Sequence, residues 1–165
     1  MDFTFQKVDL GVALKIVAWD YPAPYHVYNV HRSALTVARF VDGPYFAVLS
    51  GEQLMGFFCY GASAQLTDKK DHALYRARDY LDVGLGMHPD WCGRGRGFSF
   101  VRSGLLFARS QGWLKGFRLT VASNNTRARK VYSRLGFQET GRIPWNAALT
   151  HDFVVMTLGT LGPAP

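Results

Sequence analysis

A chain of 165 residues with two cysteines, Cys59 and Cys92, is long enough for one domain that needs no disulfide framework, and it shows no cysteine spacing for zinc, so no metal is expected. Residues 1–7 lack the basic-then-apolar pattern of a signal peptide, and no apolar run approaches the about 20 residues that span a bilayer; the expected compartment is the cytoplasm and no membrane partner is expected. A formal net charge of +7, carried mostly by arginine, favours an anionic partner: nucleic acid, a phosphorylated cofactor or an acidic surface.

Phe3, Phe5 and Val8 predict a short first strand. Asp9 is placed to cap a helix with Leu10, Ala13, Leu14 and Val17 on one face. The prolines of the following aromatic stretch (Trp19, Tyr21, Pro22, Pro24, Tyr25, Tyr28) bar a helix there. A second helix is expected from Ser33 to Phe40, ended by Asp42-Gly43-Pro44. Tyr45–Ser50 and Leu54–Tyr60 flank a turn at Gly51-Glu52-Gln53 and read as a hairpin. Residues 62–79 are polar and read as a long connection. Tyr80–Met87 is the next strand, in which Gly84 and Gly86 predict a bulge or a close backbone approach by a ligand.

Trp91-Cys92-Gly93-Arg94-Gly95-Arg96-Gly97-Phe98 follows that strand and precedes a helical run from Phe98 to Arg109. Strand, glycine loop and helix start together bind phosphate, because bare glycines let backbone N–H groups reach an anion and the helix terminus adds positive charge. Taken alone, the loop is equally well a turn with solvated arginines. Phe98, Val101, Leu105 and Ala108 recur at helical spacing, and Gly112 ends the helix. Phe117–Val121 alternates as a strand does. Asn124 or Asn125 caps a last helix with Ala128, Val131, Tyr132 and Leu135 on one face and Gly136 at its end. Phe137 onward and His151–Leu158 form two closing strands around Ile143-Pro144-Trp145-Asn146. The pattern is mixed α/β, with a single domain over 1–160 and a disordered tail at 161–165.

Two elements then stand together: the loop Cys92-Gly93-Arg94-Gly95-Arg96-Gly97, and a helix matching Asn-x-x-Ala-x-x-x-Tyr-x-x-x-Gly-Phe at Asn125, Ala128, Tyr132, Gly136 and Phe137. The pair resembles the GNAT superfamily of acyl-CoA-dependent N-acyltransferases, over about residues 45–140. The resemblance implies a mostly antiparallel twisted sheet of about seven strands, flanked by about four helices, with splayed central strands. Cys92 departs from the family, which has Arg or Gln there. A thiol near a helix N-terminus and beside Arg94 could have a lowered pKa and be redox-sensitive, but an inert thiol is the favoured reading.

The resemblance also implies the site. The cofactor is acetyl-CoA or another short acyl-CoA, held by Leu85, Gly86 and Met87 on the strand, by Cys92, Gly93, Arg94, Gly95, Arg96 and Gly97 in the loop, and by Asn125, Arg127 and Lys130 on the last helix. Of Arg127, Lys130 and Arg134, at least two are expected on a solvated face. A backbone N–H near Leu85 or Met87 would polarise the thioester, and Tyr132 would protonate the leaving thiolate, unless Tyr132 is only a core residue. Asp82 is the first candidate for a general base, ahead of His88, Glu52 and Asp79. Trp19, Tyr21, Tyr25 and Tyr28 are the candidate acceptor pocket, closed by residues 62–79 and the Trp145 region, or else they fill core beneath loops.

The expected reaction is acetyl transfer to a primary amine, with a small or amino-sugar-like acceptor favoured over a protein amine because the chain is itself basic. A non-catalytic acyl-CoA-binding module is the alternative, and the resemblance allows a homodimer. Nucleic acid is not an expected partner, since no helix-turn-helix, zinc-finger or RNA-recognition pattern accompanies the charge. A P-loop hydrolase is excluded because Phe98-Ser99, not Lys-Ser/Thr, follows Gly97.

Overall fold

The computed structural model describes residues 2–145 and 152–160, so Asn146, His151 and the tail 161–165 of the sequence reading lie outside the described residues. One sheet runs in the order β1-β2-β3-β4-β5-β7-β6. Its strands are β1 (Thr4–Lys7), β2 (Tyr45–Ser50), β3 (Gln53–Tyr60), β4 (Tyr80–Met87), β5 (Gly116–Ala122), β6 (Gln138–Ile143) and β7 (Phe153–Leu158). All neighbours pair antiparallel except β4 and β5. The helices are α1 (Leu10–Val17), α2 (Ala34–Asp42), α3 (Gly97–Ser110) and α4 (Thr126–Arg134).

Local chemistry sets the helix ends. The side chains of Asp9, Ser33 and Asn125 accept from the backbone N–H of Val12 (2.8 Å), Thr36 (3.2 Å) and Ala128 (3.1 Å), satisfying donors that a helix start leaves unpaired. Gly112 and Gly136, just past α3 and α4, have φ of +92° and +96°, a conformation that side chains rarely adopt.

Strand alternation sorts the core into layers. On one face, Phe117, Leu119 and Val121 of β5 and Val154, Met156 and Leu158 of β7 pack with Phe100, Val101 and Leu105 of α3 and Tyr132 of α4. The opposite face has two covers. Over the N-terminal strands, α1 and α2 bury Tyr45, Ala47 and Cys59. Over β5, β7 and β6, the 62–79 connection lays Leu66, Leu74 and Tyr75 against Ala122, Phe153, Val155 and Ile143. That connection contains short 3-10 turns at Thr67–Lys69 and Ala73–Tyr75. The Tyr75 hydroxyl pins it to Thr120 at 2.8 Å.

Three sequence expectations change here. The buried face of α1 is Ala13, Ile16 and Val17, while Leu10 and Leu14 are more than half exposed. With seven apolar or glycine positions among eight residues, two overlapping stripes compete, and contact with the sheet selects one. On α3, Phe100 is the buried aromatic and Phe98 is only half buried. In β4, Gly84 and Gly86 carry no bulge, since the register with β3 is continuous. They are bare to admit neighbours: a Cβ on Gly86 would meet the Phe57 ring at 2.5 Å, and one on Gly84 would meet the Cys59 sulfur at 2.6 Å.

Candidate active site

β4 and β5 pair only at Tyr80–Gly116, Leu81–Phe117 and Asp82–Arg118. Beyond Asp82, β4 keeps its ladder to β3 and β5 keeps its ladder to β7, but the two strands have no rung between them. Residues Val83–Met87 therefore present an unpaired backbone edge, and a cleft of about 430 Å³ opens along it. Unpaired backbone groups of this kind accept an extended ligand as they would accept another strand.

The aromatic stretch after α1 spans the mouth of this gap. The Tyr21 hydroxyl donates to the Met87 carbonyl on β4 at 2.8 Å. The Tyr28 oxygen accepts from the Ala122 N–H on β5 and from Asn125 Nδ2 at the start of α4, both at 3.1 Å. Burial pushes the Tyr21 and Tyr28 hydroxyls above the ordinary tyrosine range, so both stay protonated near neutral pH. Sequence reading named these residues as pocket lining, which they are, but missed that their hydroxyls tie together the two diverging strands.

The glycine loop forms one wall. Gly93 and Gly95 have φ of +75° and +74°. A Cβ on Gly95 would meet nothing within 4 Å, and one on Gly93 would meet Arg127 Nη1 at 3.3 Å. Arg127 stacks on the Tyr25 ring at 4.3 Å, and Arg134 on the Phe98 ring at 5.1 Å. Both line the cleft and both remain solvent-exposed, as expected of at least two of the three α4 cations. Lys130 is exposed and does not line the cleft, because the helical turn points it elsewhere. Arg94 and Arg96 are also absent from the lining, and their guanidinium carbons lie 5.3 and 4.4 Å from the Trp91 ring.

Leu85, Gly86, Met87, Cys92, Gly93, Gly95 and Gly97 line the cleft, as do Asn125, Tyr132, Trp19, Tyr21, Tyr25 and Tyr28. Sequence reading missed Ile16, Val30, Phe57 and Thr120. Only Phe57 had a visible signal, as the aromatic residue of β3 opposite a glycine of β4. The 62–79 connection and Trp145 do not line the cleft, since they cover the β5–β7–β6 half of the sheet.

Tyr132 is buried on α4, with its ring 6.0 Å from Phe137. Burial raises its pKa above the ordinary value, so its hydroxyl keeps its proton. The Cys92 thiol fits the inert reading and not the low-pKa one. It sits 3.6 Å from the Met87 carbonyl, five residues before α3 begins, and burial raises its pKa more than Arg127 lowers it.

Asp82 is not in the cleft. It is 5% exposed and its two oxygens accept from Arg118 Nε (2.6 Å) and Nη2 (2.7 Å), with Gln65 Nε2 adding a third bond at 2.7 Å. The remaining Arg118 hydrogens go to the carbonyls of Leu74 (2.8 Å), Ala77 (3.2 Å) and Tyr75 (3.1 Å). A carboxylate held in this way anchors the closed end of the β4–β5 pair and the connection over it, so its expected role as a base is corrected to a structural one.

The sequence matches the model of the Acetyltransferase (GNAT) family over residues 13–137. The chain belongs to that family. No curated protein sequence matches it significantly. Solved structures share the fold. A GNAT-family acetyltransferase from Bacillus anthracis superposes with a TM-score of 0.70 at 12% identity, covering 95% of this chain and 94% of that one. A spermidine N-acetyltransferase SpeG chimera from Vibrio cholerae and hSSAT gives 0.70 at 16% identity, with 95% of each chain covered. The yncA protein of Salmonella typhimurium, assigned as an acetyltransferase and solved with its cofactor acetyl-CoA, gives 0.62 at 19% identity over 99% and 97%.

Acetyl-CoA is the acetyl donor of GNAT acetyltransferases, and this cleft fits it. The open β4 edge suits an extended arm, Leu119, Val121, Ala128 and Val131 supply apolar floor, and Gly95 leaves clear space in the loop whose Gly93 lies beside Arg127, suiting an anionic head. Among the described residues no helix is long and apolar enough to cross a membrane, and no cluster of His, Cys, Asp and Glu is arranged to hold a metal.

Proposed function

We propose that this GNAT acetyltransferase moves the acetyl group of acetyl-CoA to the primary amine of a small molecule by direct attack. The unpaired edge of β4 from Val83 to Met87, in a cleft that the glycine loop and Tyr132 also line, carries this reading. Bound acetyl-CoA supplies a thioester whose C–S bond breaks as the amine nitrogen bonds the acetyl carbon. Backbone N–H groups of the open β4 edge stabilise the charge that develops on the carbonyl oxygen. Tyr132 keeps its proton until the sulfur departs and then gives it to the thiolate, regaining one from solvent. The proton of the attacking nitrogen leaves to water, because no carboxylate lines the cleft. Arg127 and Arg134 balance the negative charge of the cofactor.

Thermal unfolding with acetyl-CoA tests the donor half, and thiol release on adding amines tests transfer. At ~100 times its dissociation constant, a ligand adds about 2.7 kcal/mol, roughly 2–4 °C per kcal/mol for a chain of this size. Gly95→Asp puts a carboxylate on a residue with φ of +74° in the loop and should abolish that rise while the variant still folds. An undiminished rise in Gly95→Asp would remove the loop from the cofactor site. Acetyl-CoA binding without thiol release from any amine would make the protein a binding module.

A further inference from the structure

We infer that the acceptor is a monoamine carried on an apolar, ring-bearing body, seated on the α1 side of the cleft against Trp19 and Phe57. The inference rests on the acetyl-transfer reading above and adds the substrate class.

Charge comes first. The chain has twelve Asp and Glu residues, all of them among the described residues, and none lines the cleft. The charged side chains that do line it are Arg127 and Arg134. A polyamine or a basic peptide brings a second ammonium, which would lie over apolar rings with no anion to pair with and with two guanidinium groups in the same cleft. Burying an unpaired charge in this way is strongly unfavourable. A single ammonium is tolerated by ring faces and sheds its proton before attack, and an apolar lining favours the neutral form that attacks.

Several polar groups at this end are already engaged, which leaves fewer of them for a sugar or another hydroxyl-rich acceptor. Tyr21 donates to Met87 and Tyr28 accepts two N–H bonds. Asn29 accepts from the Tyr21 N–H at 2.7 Å and donates to Asp20 at 2.8 Å. Tyr21 and Asn29 spend these polar atoms on the protein itself, and Tyr28 spends its oxygen while keeping its own O–H hydrogen.

The rings are arranged to hold something flat. Trp19 lies nearly parallel to Phe57, with centroids 6.0 Å apart at 26°, and meets His88 edge-on at 5.1 Å. Gly86 leaves room for Phe57 to lie against β4, bringing an aromatic wall to the strand whose backbone edge is open. Ile16 and Val30 complete an apolar wall. A ring-bearing amine gains from this surface by area burial and by offset or edge contacts between rings.

The test is an initial-rate comparison, by thiol release from acetyl-CoA, among 2-phenylethylamine, spermidine, glucosamine and a lysine-rich peptide. The expected kcat/KM for 2-phenylethylamine exceeds each of the others at least tenfold. Equal or better turnover of spermidine, glucosamine or the peptide overturns the inference and leaves acetyl transfer standing. Acetyl-CoA binding, read by the thermal shift, with no turnover of 2-phenylethylamine also overturns it. Absence of that thermal shift instead overturns the donor reading. Trp19→Leu keeps an apolar wall without its flat face. It should raise KM for 2-phenylethylamine several-fold while leaving kcat and the acetyl-CoA thermal shift unchanged. An unchanged KM in a folded Trp19→Leu protein removes the ring surface from recognition.

Discussion

The two ends of the β4–β5 pair are opposites. At the closed end, a carboxylate and a guanidinium are both buried, and every donor of Arg118 has a protein acceptor. At the open end, Val83–Met87 leave one backbone edge without a strand partner, and the cleft beside it is lined mostly by rings, glycines and apolar residues, with Arg127 and Arg134 its charged side chains. The charged pair that would attract attention as catalytic machinery is locked into architecture. In the proposed mechanism the chemistry falls to backbone N–H groups and to a tyrosine. The difference follows from desolvation: a buried charge persists only when fully paired, and full pairing leaves it nothing for a substrate.

The largest expected effect breaks the closed end. Arg118→Ala leaves the buried Asp82 carboxylate without a counter-charge, held only by Gln65, and strands three backbone carbonyls; it should cost about 3–5 kcal/mol, read as a fall in thermal midpoint. A loss below ~1 kcal/mol would mean that the pair contributes little to the architecture assigned to it. At the open end, Tyr132→Phe should lower kcat about 100-fold with the acetyl-CoA thermal shift unchanged. Wild-type kcat in that variant would take the hydroxyl out of the mechanism.

Tyr28→Phe sharpens the comparison at the mouth, because it strands the Ala122 N–H and Asn125 Nδ2 together. A loss of about 1–3 kcal/mol is expected, with weaker acetyl-CoA binding because Asn125 also caps α4 beside the cleft. Undisturbed stability and binding would show that the two strands hold their divergence without this tether. The smallest effect lies far from both ends: Leu35→Ser on α2, where the side chain is 81% exposed, should stay within about 0.5 kcal/mol of the parent. A larger loss in denaturant unfolding would point to a contact that covers this face.

Helix boundaries were legible because their signals are local. Asp9, Ser33 and Asn125 cap the helices that they precede, and Gly112 and Gly136 end α3 and α4 with positive φ. The strands and the glycine loop were legible for the same reason, and the spacing from that loop to Asn125 and Tyr132 carried the family. The face of α1 was not, since Leu10 and Leu14 are as apolar as Ile16 and Val17 and only contact with the sheet separates them. Asp82 and Lys130 were misplaced because a side chain's partner 36 residues away, or the direction of a helix face, is not written in the spacing of nearby residues.

The sequence by itself determined the elements, their caps, the bare loop and the tyrosine at its spacing, all of which depend on backbone preferences acting over a few residues. Only the tertiary structure decided which groups are spent on the fold and which remain for chemistry. Tyr21 and Tyr28 became tethers, Asp82 became half of a buried pair, and Phe57, unremarkable in the chain, became a wall of the cleft. The physical reason is that hydrogen-bond satisfaction and charge pairing are settled between elements distant in sequence, after the sheet has brought them together.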